Sequence, residues 1–291
     1  MPPRVVSEVE VQILNNIGLV YAKLQDYDRA YEWHALLPIF AKSCKYVGVS
    51  EHKCRIKSSV RGTTRLTNKT QVKTLFSLAW VQRKRQKFSH ARELFMMVLD
   101  LDPGHGKAMW LLGDILKTCQ DFEGAIQQFQ ALVRTQPESP DGHVSLAQCY
   151  DATKQYSKAV QIYKNILETL CPGRTEVHFA LGKDYFLLKQ YRQAVVELDK
   201  VPDNDPKAVE ARSYGAKACR ELEDHERAIS LAESAAHCHP HPEVMHFLGE
   251  EYARVGEQHK AAQCFSRGLE LEPNHLPSLM ELGQLACRPE S

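Results

Sequence analysis

The sequence predicts an all-α chain built from a tandem series of helix–turn–helix units. Three observations carry this. First, the stretch from Gly106 to Ser139, GKAMWLLGDILKTCQDFEGAIQQFQALVRTQPES, holds two amphipathic runs separated at Gln120-Asp121. Met109, Leu112, Gly113 and Leu116 share one face of the first run. Phe122, Ala125, Ile126, Phe129 and Leu132 share one face of the second, and apolar spacing of three and four residues is the mark of a helix. Pro137 blocks continuation of the second helix, because proline lacks the N–H the next turn needs. Second, a small first-helix residue recurs as Gly18, Ala79, Gly113, Ala147, Gly182, Ala216, Gly249 and Gly283, at steps of 61, 34, 34, 35, 34, 33 and 34. Third, a second-helix alanine recurs as Ala30, Ala91, Ala125, Ala159, Ala194, Ala228 and Ala261, at steps of 61, 34, 34, 35, 34 and 33. Two independent markers keep one period through the same slips. Small residues at both places predict two helices that cross closely.

Taken in order, residues 1–10 form a short lead-in to a first unit, so that 1–44 is one segment. This unit carries Leu14, Ile17, Gly18 and Tyr21, then Tyr27 and Ala30, and Pro38 shortens its second helix. His34 stands where phenylalanine is usual, so packing is expected to be weaker here. The step of 61 is one period of 34 plus 27, which leaves residues 45–71 as an insert. Its only acid is Glu51, against Lys45, Lys53, Arg55, Lys57, Arg61, Arg65 and Lys69, and its apolar residues show no helical period. It is expected to be a basic, mobile loop, with a degenerate repeat as the alternative. From Val72 to residue 275 six regular units start near 72, 106, 140, 175, 209 and 242. Pro103, Pro137, Pro172, Pro206, Pro240 and Pro273 close them. The extra residue in the step of 35 falls between Ile166 and Pro172. The sixth unit has Ala232 and Ala235 in place of larger core residues and is expected to pack thinly. Residues 276–291 supply one last helix with Leu279, Leu282 and Gly283; Glu281, Gln284 and Arg288 fit the soluble outer face of a cap.

These residues resemble the tetratricopeptide repeat, whose pattern is W-x2-L-G-x2-Y, then A-x3-F, then P. The best matches are Leu181-Gly182-x2-Tyr185 with Ala194, and Leu248-Gly249-x2-Tyr252 with Ala261-x3-Phe265 and Pro273. The resemblance covers residues 11–44 and 72–288. It implies an α-solenoid, a right-handed superhelix of about seven repeats plus a C-terminal capping helix, and a role in binding other proteins. In the family the first helix of each repeat lines a concave groove through positions 2, 5, 9, 12 and 13. Carried over, these are Lys73, Phe76, Trp80, Arg83 and Lys84 in repeat 2, and Lys107, Trp110, Asp114 and Lys117 in repeat 3. Later repeats place Asp141, Glu176, Phe179, Glu210 and Glu243 there, with Lys183, Lys217 and Arg220 between them. The expected partner is therefore a protein segment, peptide or helix, with acidic and apolar residues, bound by the basic and aromatic half. The competing reading is that Trp80 and Trp110 pack between adjacent repeats. The clamp that some members use for chaperone-tail carboxylates is not expected: Lys107 fits it, but Asn15 and Leu19 stand at its Lys and Asn positions, Ser77 at its second Asn and Leu111 at its Arg. The asparagine ladder of sugar-transferase solenoids is missing as well.

Composition bounds the rest. Hydrophobic content of 43% excludes disorder for the bulk of the 291 residues. A net charge of +1 argues against a globally electrostatic partner such as bulk DNA. No apolar run approaches the ~18 residues of a membrane span, and MPPRVVSEVEVQ lacks a secretory h-region. Nine cysteines, none in a C-x-x-C pair, suggest a reducing compartment, cytoplasm or nucleus. No phosphate-binding loop, dinucleotide fingerprint, H-E-x-x-H or nucleophile elbow occurs, so neither catalysis nor a cofactor is expected. The tract His237-Cys238-His239-Pro240-His241, with His246 beyond it, has zinc-type ligands but falls on an inter-repeat turn and reads as polar. No metal is expected. The insert has seven basic residues but one aromatic, Tyr46, so a stacking platform for nucleic acid is lacking. The leading functional reading is a non-catalytic scaffold or adaptor within a multiprotein complex. The alternatives are the targeting domain of an enzyme complex whose catalytic part lies elsewhere, and contact with nucleic acid or an acidic surface through the insert.

Overall fold

The computed structural model describes residues 8–35 and 68–286, which contain fifteen α-helices and no strand. They are α1 (Glu8–Lys23), α2 (Tyr27–Ala35), α3 (Asn68–Lys84), α4 (Phe88–Leu101), α5 (Gly106–Thr118), α6 (Phe122–Thr135), α7 (Pro140–Ala152), α8 (Tyr156–Asn165), α9 (Thr175–Leu187), α10 (Tyr191–Leu198), α11 (Ala208–Glu221), α12 (His225–Cys238), α13 (Pro242–Arg254), α14 (Gln258–Leu271) and α15 (Leu276–Ala286). Most of the expected insert, 45–67, lies outside the described residues. Its last four, 68–71, belong to α3, which starts at Asn68 rather than at 72. Odd helices are the first of each repeat and even helices the second; from α1 to α6 and from α8 to α15 each packs on the next along the chain. The chain divides into two compact units, 1–149 and 150–291, the division falling within α7.

The recurring small residues do what their spacing predicts. Ala30, Ala91, Ala125, Ala194, Ala228 and Ala261 are fully buried. On the first helix, a Cβ added to Gly113 would sit 2.7 Å from the Phe129 ring, and one added to Gly249 2.5 Å from the Phe265 ring. Gly18 faces His34 in the same way, and Gly182 faces Leu198. The bulky residue four positions after the second-helix alanine thus lies directly on the backbone of the first helix. In these four repeats contact this close leaves no room for a methyl group, whereas repeats 2, 4 and 6 carry Ala79, Ala147 and Ala216 at the same position.

A third periodic marker was invisible in the sequence. Gln25, Gln86, Gln120, Lys154, Lys189, Glu223 and Gly256 all have positive φ, between 60° and 85°. Their steps repeat the series of 61, 34, 34, 35, 34 and 33. Each closes the first helix in a left-handed turn, and the next N–H bonds the carbonyl five residues back. Examples are Asp121 to Leu116 at 2.9 Å and Asp224 to Cys219 at 3.0 Å. This satisfies carbonyls that the helix end would otherwise leave unpaired. The residue after the turn caps the second helix: Asp121 Oδ1 accepts from the Gly124 N–H at 3.0 Å, and Asp224 Oδ1 from the Arg227 N–H at 3.2 Å. Six of the seven left-handed residues are not glycine. Packing of the two helices forces a conformation the local sequence does not prefer.

Three departures have local causes. The extra residue in the step of 35 is absorbed by a π-turn, Ile166–Leu170, in which the Cys171 N–H bonds the Ile166 carbonyl at 2.7 Å. In repeat 6, Ala232 and Ala235 are buried where repeats 2 to 5 carry larger side chains. The last helix differs from expectation. Leu282 and Leu285 pack on the core of repeat 7, but Leu276, Leu279 and Met280 are 69%, 44% and 65% exposed. Gly283 has no neighbour within 4 Å of an added Cβ. In earlier repeats a second helix covers this face; among the described residues none follows α15, so its outer face is apolar and not the polar one expected of a cap.

Two predictions follow from this packing. Ala125→Leu should destabilise the protein by about 1–3 kcal/mol through overpacking, read as a lowered melting temperature; a parental melt would overturn the register. His34 is fully buried with neither ring nitrogen bonded, and burial lowers its pKa to about 4. The folded state therefore keeps it neutral, and stability falls as pH drops from about 6.5 toward 4. His34→Phe should abolish this acid loss around α1 and α2, on the order of 1–3 kcal/mol. Amide exchange at pH 7 and pH 5 checks it.

Candidate protein-binding face of the N-terminal unit

The face expected to bind a partner lies on α3 and α5, both within the N-terminal unit. Lys73, Phe76, Trp80, Arg83 and Lys84 fall on one side of α3, and Lys107, Trp110, Asp114 and Lys117 on one side of α5. Lys73, Lys84 and Lys107 are exposed and Trp110 is 36% exposed. Polar rungs hold successive helices side by side. The Arg83 guanidinium pairs with the Asp114 carboxylate, and Lys117 Nζ donates to Gln148 Oε1 of α7 at 3.2 Å. Both rungs join position 12 of one repeat to position 9 of the next.

The aromatic residues divide the two readings between them. Trp80 packs edge-on to Tyr27 of α2, with ring centroids 6.1 Å apart, and its ring takes Lys84 Nζ at 5.5 Å. It belongs to the small core of Ala22, Ala30 and Val81, as the inter-repeat alternative anticipates. Phe76 packs against Phe95 at 5.7 Å and His105 at 5.0 Å. His105 itself caps α5, accepting from the Ala108 N–H at 3.1 Å. Phe76 and Trp80 are therefore half-buried, whereas Trp110 offers more of its ring. Asp114 is committed to Arg83, so the remaining charge of the face is the four lysines. In the C-terminal unit two of the acids at the corresponding positions are paired: Glu176 with Arg174 at 2.5 Å and Glu210 with Lys207 at 2.6 Å.

A model of the tetratricopeptide repeat matches residues 119–170, and another of the same repeat matches 11–33 and 242–275. The C-terminal part of a TPR repeat-containing protein from Cytophaga hutchinsonii superposes with a TM-score of 0.69, covering 92% of this chain and 98% of that one at 17% identity. The matched residues are tetratricopeptide repeats, and the fold is that of tetratricopeptide-repeat solenoids. Among curated relatives, BBSome complex member BBS4 from Bos taurus is 23% identical over 95% of this chain, and human anaphase-promoting complex subunit 7 is 25% identical over 67%. This tetratricopeptide-repeat chain spans 57% and 34% of the length of those two proteins. Among the described residues no helix is long and apolar enough to cross a membrane.

The other candidate cluster comes apart in the structure. His237, Cys238, His239 and His241 are exposed, and His241 Nδ1 caps α13 by accepting from the Glu243 N–H at 3.4 Å. His246 instead packs against the rings of Phe265 and His275, both at 5.6 Å. Among the described residues no three His, Cys, Asp or Glu side chains gather as metal ligands.

An acid pair in the C-terminal unit of this tetratricopeptide-repeat chain escaped the sequence reading. Asp184 is buried beside Asp151, whose Oδ2 accepts from the Tyr163 hydroxyl at 2.8 Å. Asp151 Oδ1 and Asp184 Oδ2 are buried without a donor. One proton held between the two carboxyl groups satisfies both. Burial, then the hydrogen bond to Asp151 and its charge, push Asp184 up to about 9; burial also raises Asp151. The folded state thus binds a proton that the unfolded chain has released, so stability falls as pH rises from about 4 through about 9. Between pH 7 and 9 the melting temperature should drop by a few degrees, roughly 2–4 °C per kcal/mol for a chain of this size. Asp184→Asn should flatten that slope. An unchanged slope in the variant would show that the pair is not protonated.

Proposed function

We propose that this tetratricopeptide-repeat chain is a non-catalytic scaffold that holds a segment of a partner protein against α3 and α5. Its relatives support the coarse part of the reading: one is named as a member of the BBSome complex, another as a subunit of the anaphase-promoting complex. The fine part rests on one observation, the exposed indole of Trp110 set among Lys73, Lys84, Lys107 and Lys117. A large rigid ring buries area at little entropic cost, and such rings dominate binding energy. Lysines around it speed and orient encounter with an acidic segment. The partner segment is thus extended or helical, with acidic residues flanking an apolar anchor that covers Trp110.

The test is surface plasmon resonance against a partner identified by co-purification. Trp110→Ala should weaken binding by about 2 kcal/mol, roughly thirtyfold, through faster dissociation. Because Trp80 also packs on Tyr27, Trp80→Ala should lower stability as well as affinity. Lys84→Glu with Lys117→Glu should mainly slow association, and the parent should bind more weakly as salt rises. If Trp110→Ala, folded by circular dichroism, binds as the parent does, this face is not the binding face.

A further inference from the structure

Repeat 6 departs from its neighbours at positions that line one pocket. The residue just before the small first-helix position is Leu78, Leu112, Leu146, Leu181, Leu248 and Leu282 elsewhere, but Gly215 here. Three residues earlier stand Leu75, Met109, His143, His178 and Met245, but Arg212 in repeat 6. The result is a pocket of about 370 Å³ between α10, α11 and α12 in the C-terminal unit. Leu198, Val201 and Leu231 give it apolar walls, and among the described residues Arg212 is the cation lining it. The Arg212 side chain is 12% exposed. Its Nη2 pairs with Asp203, a rim residue whose side chain is 87% exposed, while its Nη1 is buried with no hydrogen-bond partner.

We infer that this pocket binds a branched aliphatic carboxylate, the alkyl group filling the space of the missing leucine side chain and the carboxylate pairing with Arg212. The volume lies at the small end of ligand pockets, about 300–1,000 Å³. Apolar walls favour an alkyl group, and a guanidinium fork matches a planar carboxylate. The anion takes the place of Asp203, which returns to solvent, so one carboxylate partner is exchanged for another and Nη1 comes within reach of the second oxygen. A dianionic phosphate fits less well, because Asp199 and Asp203 both border the pocket. Two sources share the chemistry: a free short-chain acid, and the last residue of a polypeptide ending in leucine.

The probe is 4-methylpentanoate, titrated into the full chain by calorimetry and followed by nuclear magnetic resonance of the Arg212 side chain. Saturable binding with a shifted Arg212 signal is expected. The uncharged 4-methylpentan-1-ol should bind at least about tenfold more weakly. Gly215→Leu and Arg212→Met should both abolish binding, and each restores a residue that other repeats carry at that position, so the fold is kept. A Cβ at Gly215 meets only the flexible Leu231 Cδ1, at 3.3 Å. Asp203→Asn should tighten binding severalfold by removing the competing carboxylate. A peptide ending in leucine, compared with its C-terminal amide, separates the sources: binding of the free peptide alone assigns the site to polypeptide ends. The proposal is overturned if neither acid nor peptide saturates the parent up to about 10 mM. It is equally overturned if Gly215→Leu and Arg212→Met bind as the parent does.

Discussion

Everything in this structure depends on one contact, a bulky second-helix side chain lying on the bare backbone of the first helix. Phe129 on Gly113 and Phe265 on Gly249 show it most clearly. The contact fixes the distance between paired helices, and that distance sets the turn between them. A short turn must then reverse the chain, so one residue takes positive φ whether or not it is glycine. Gln120 and Lys154 accept that conformation because the packed helices on either side offer no other path.

Because helices within each compact unit pack on their neighbours along the chain, local departures stay local. The π-turn at Ile166–Leu170 absorbs one residue without disturbing the period before or after it. Repeat 1 substitutes His34 for an aromatic hydrocarbon ring and is left with two unbonded ring nitrogens. Repeat 6 loses a leucine at Gly215 and gains a buried guanidinium at Arg212. The same modularity leaves α15 with an uncovered apolar face. These are the places where core composition is least like the repeat pattern.

Electrostatics follows a similar rule. Rungs between position 12 and position 9 recur as Arg83 with Asp114, Lys117 with Gln148, and Arg220 with Glu250 at 2.7 Å. Where both partners are charged, as in Arg83 with Asp114 and Arg220 with Glu250, the rung neutralises both charges; Lys117, bonded to a neutral amide, keeps its own. Glu251 is an extreme case, fully buried between Arg220 and His225. The partner proposed for α3 and α5 would meet lysines there with Asp114 already committed to Arg83.

The sequence by itself determined the repeat, its period, the helix pairs and the keystone residues, because small residues and apolar periodicity are local signals tied to geometry. It also placed Lys73, Trp80, Lys107 and Trp110 on first helices. The left-handed turns were not legible, since glutamine and lysine carry no turn signal and tertiary packing imposes the conformation. Nor was the division of labour among aromatics: Trp80 at position 9 and Trp110 at position 5 are both groove positions, and only the structure shows Trp80 packed on the neighbouring Tyr27. The start of α3 at Asn68 was hidden because polar residues at a helix end lack periodicity. Asp184 beside Asp151, and Arg212 above the gap at Gly215, join residues far apart in the chain. Only tertiary structure brings such side chains together, and burial, which shifts their chemistry, exists only once they are packed.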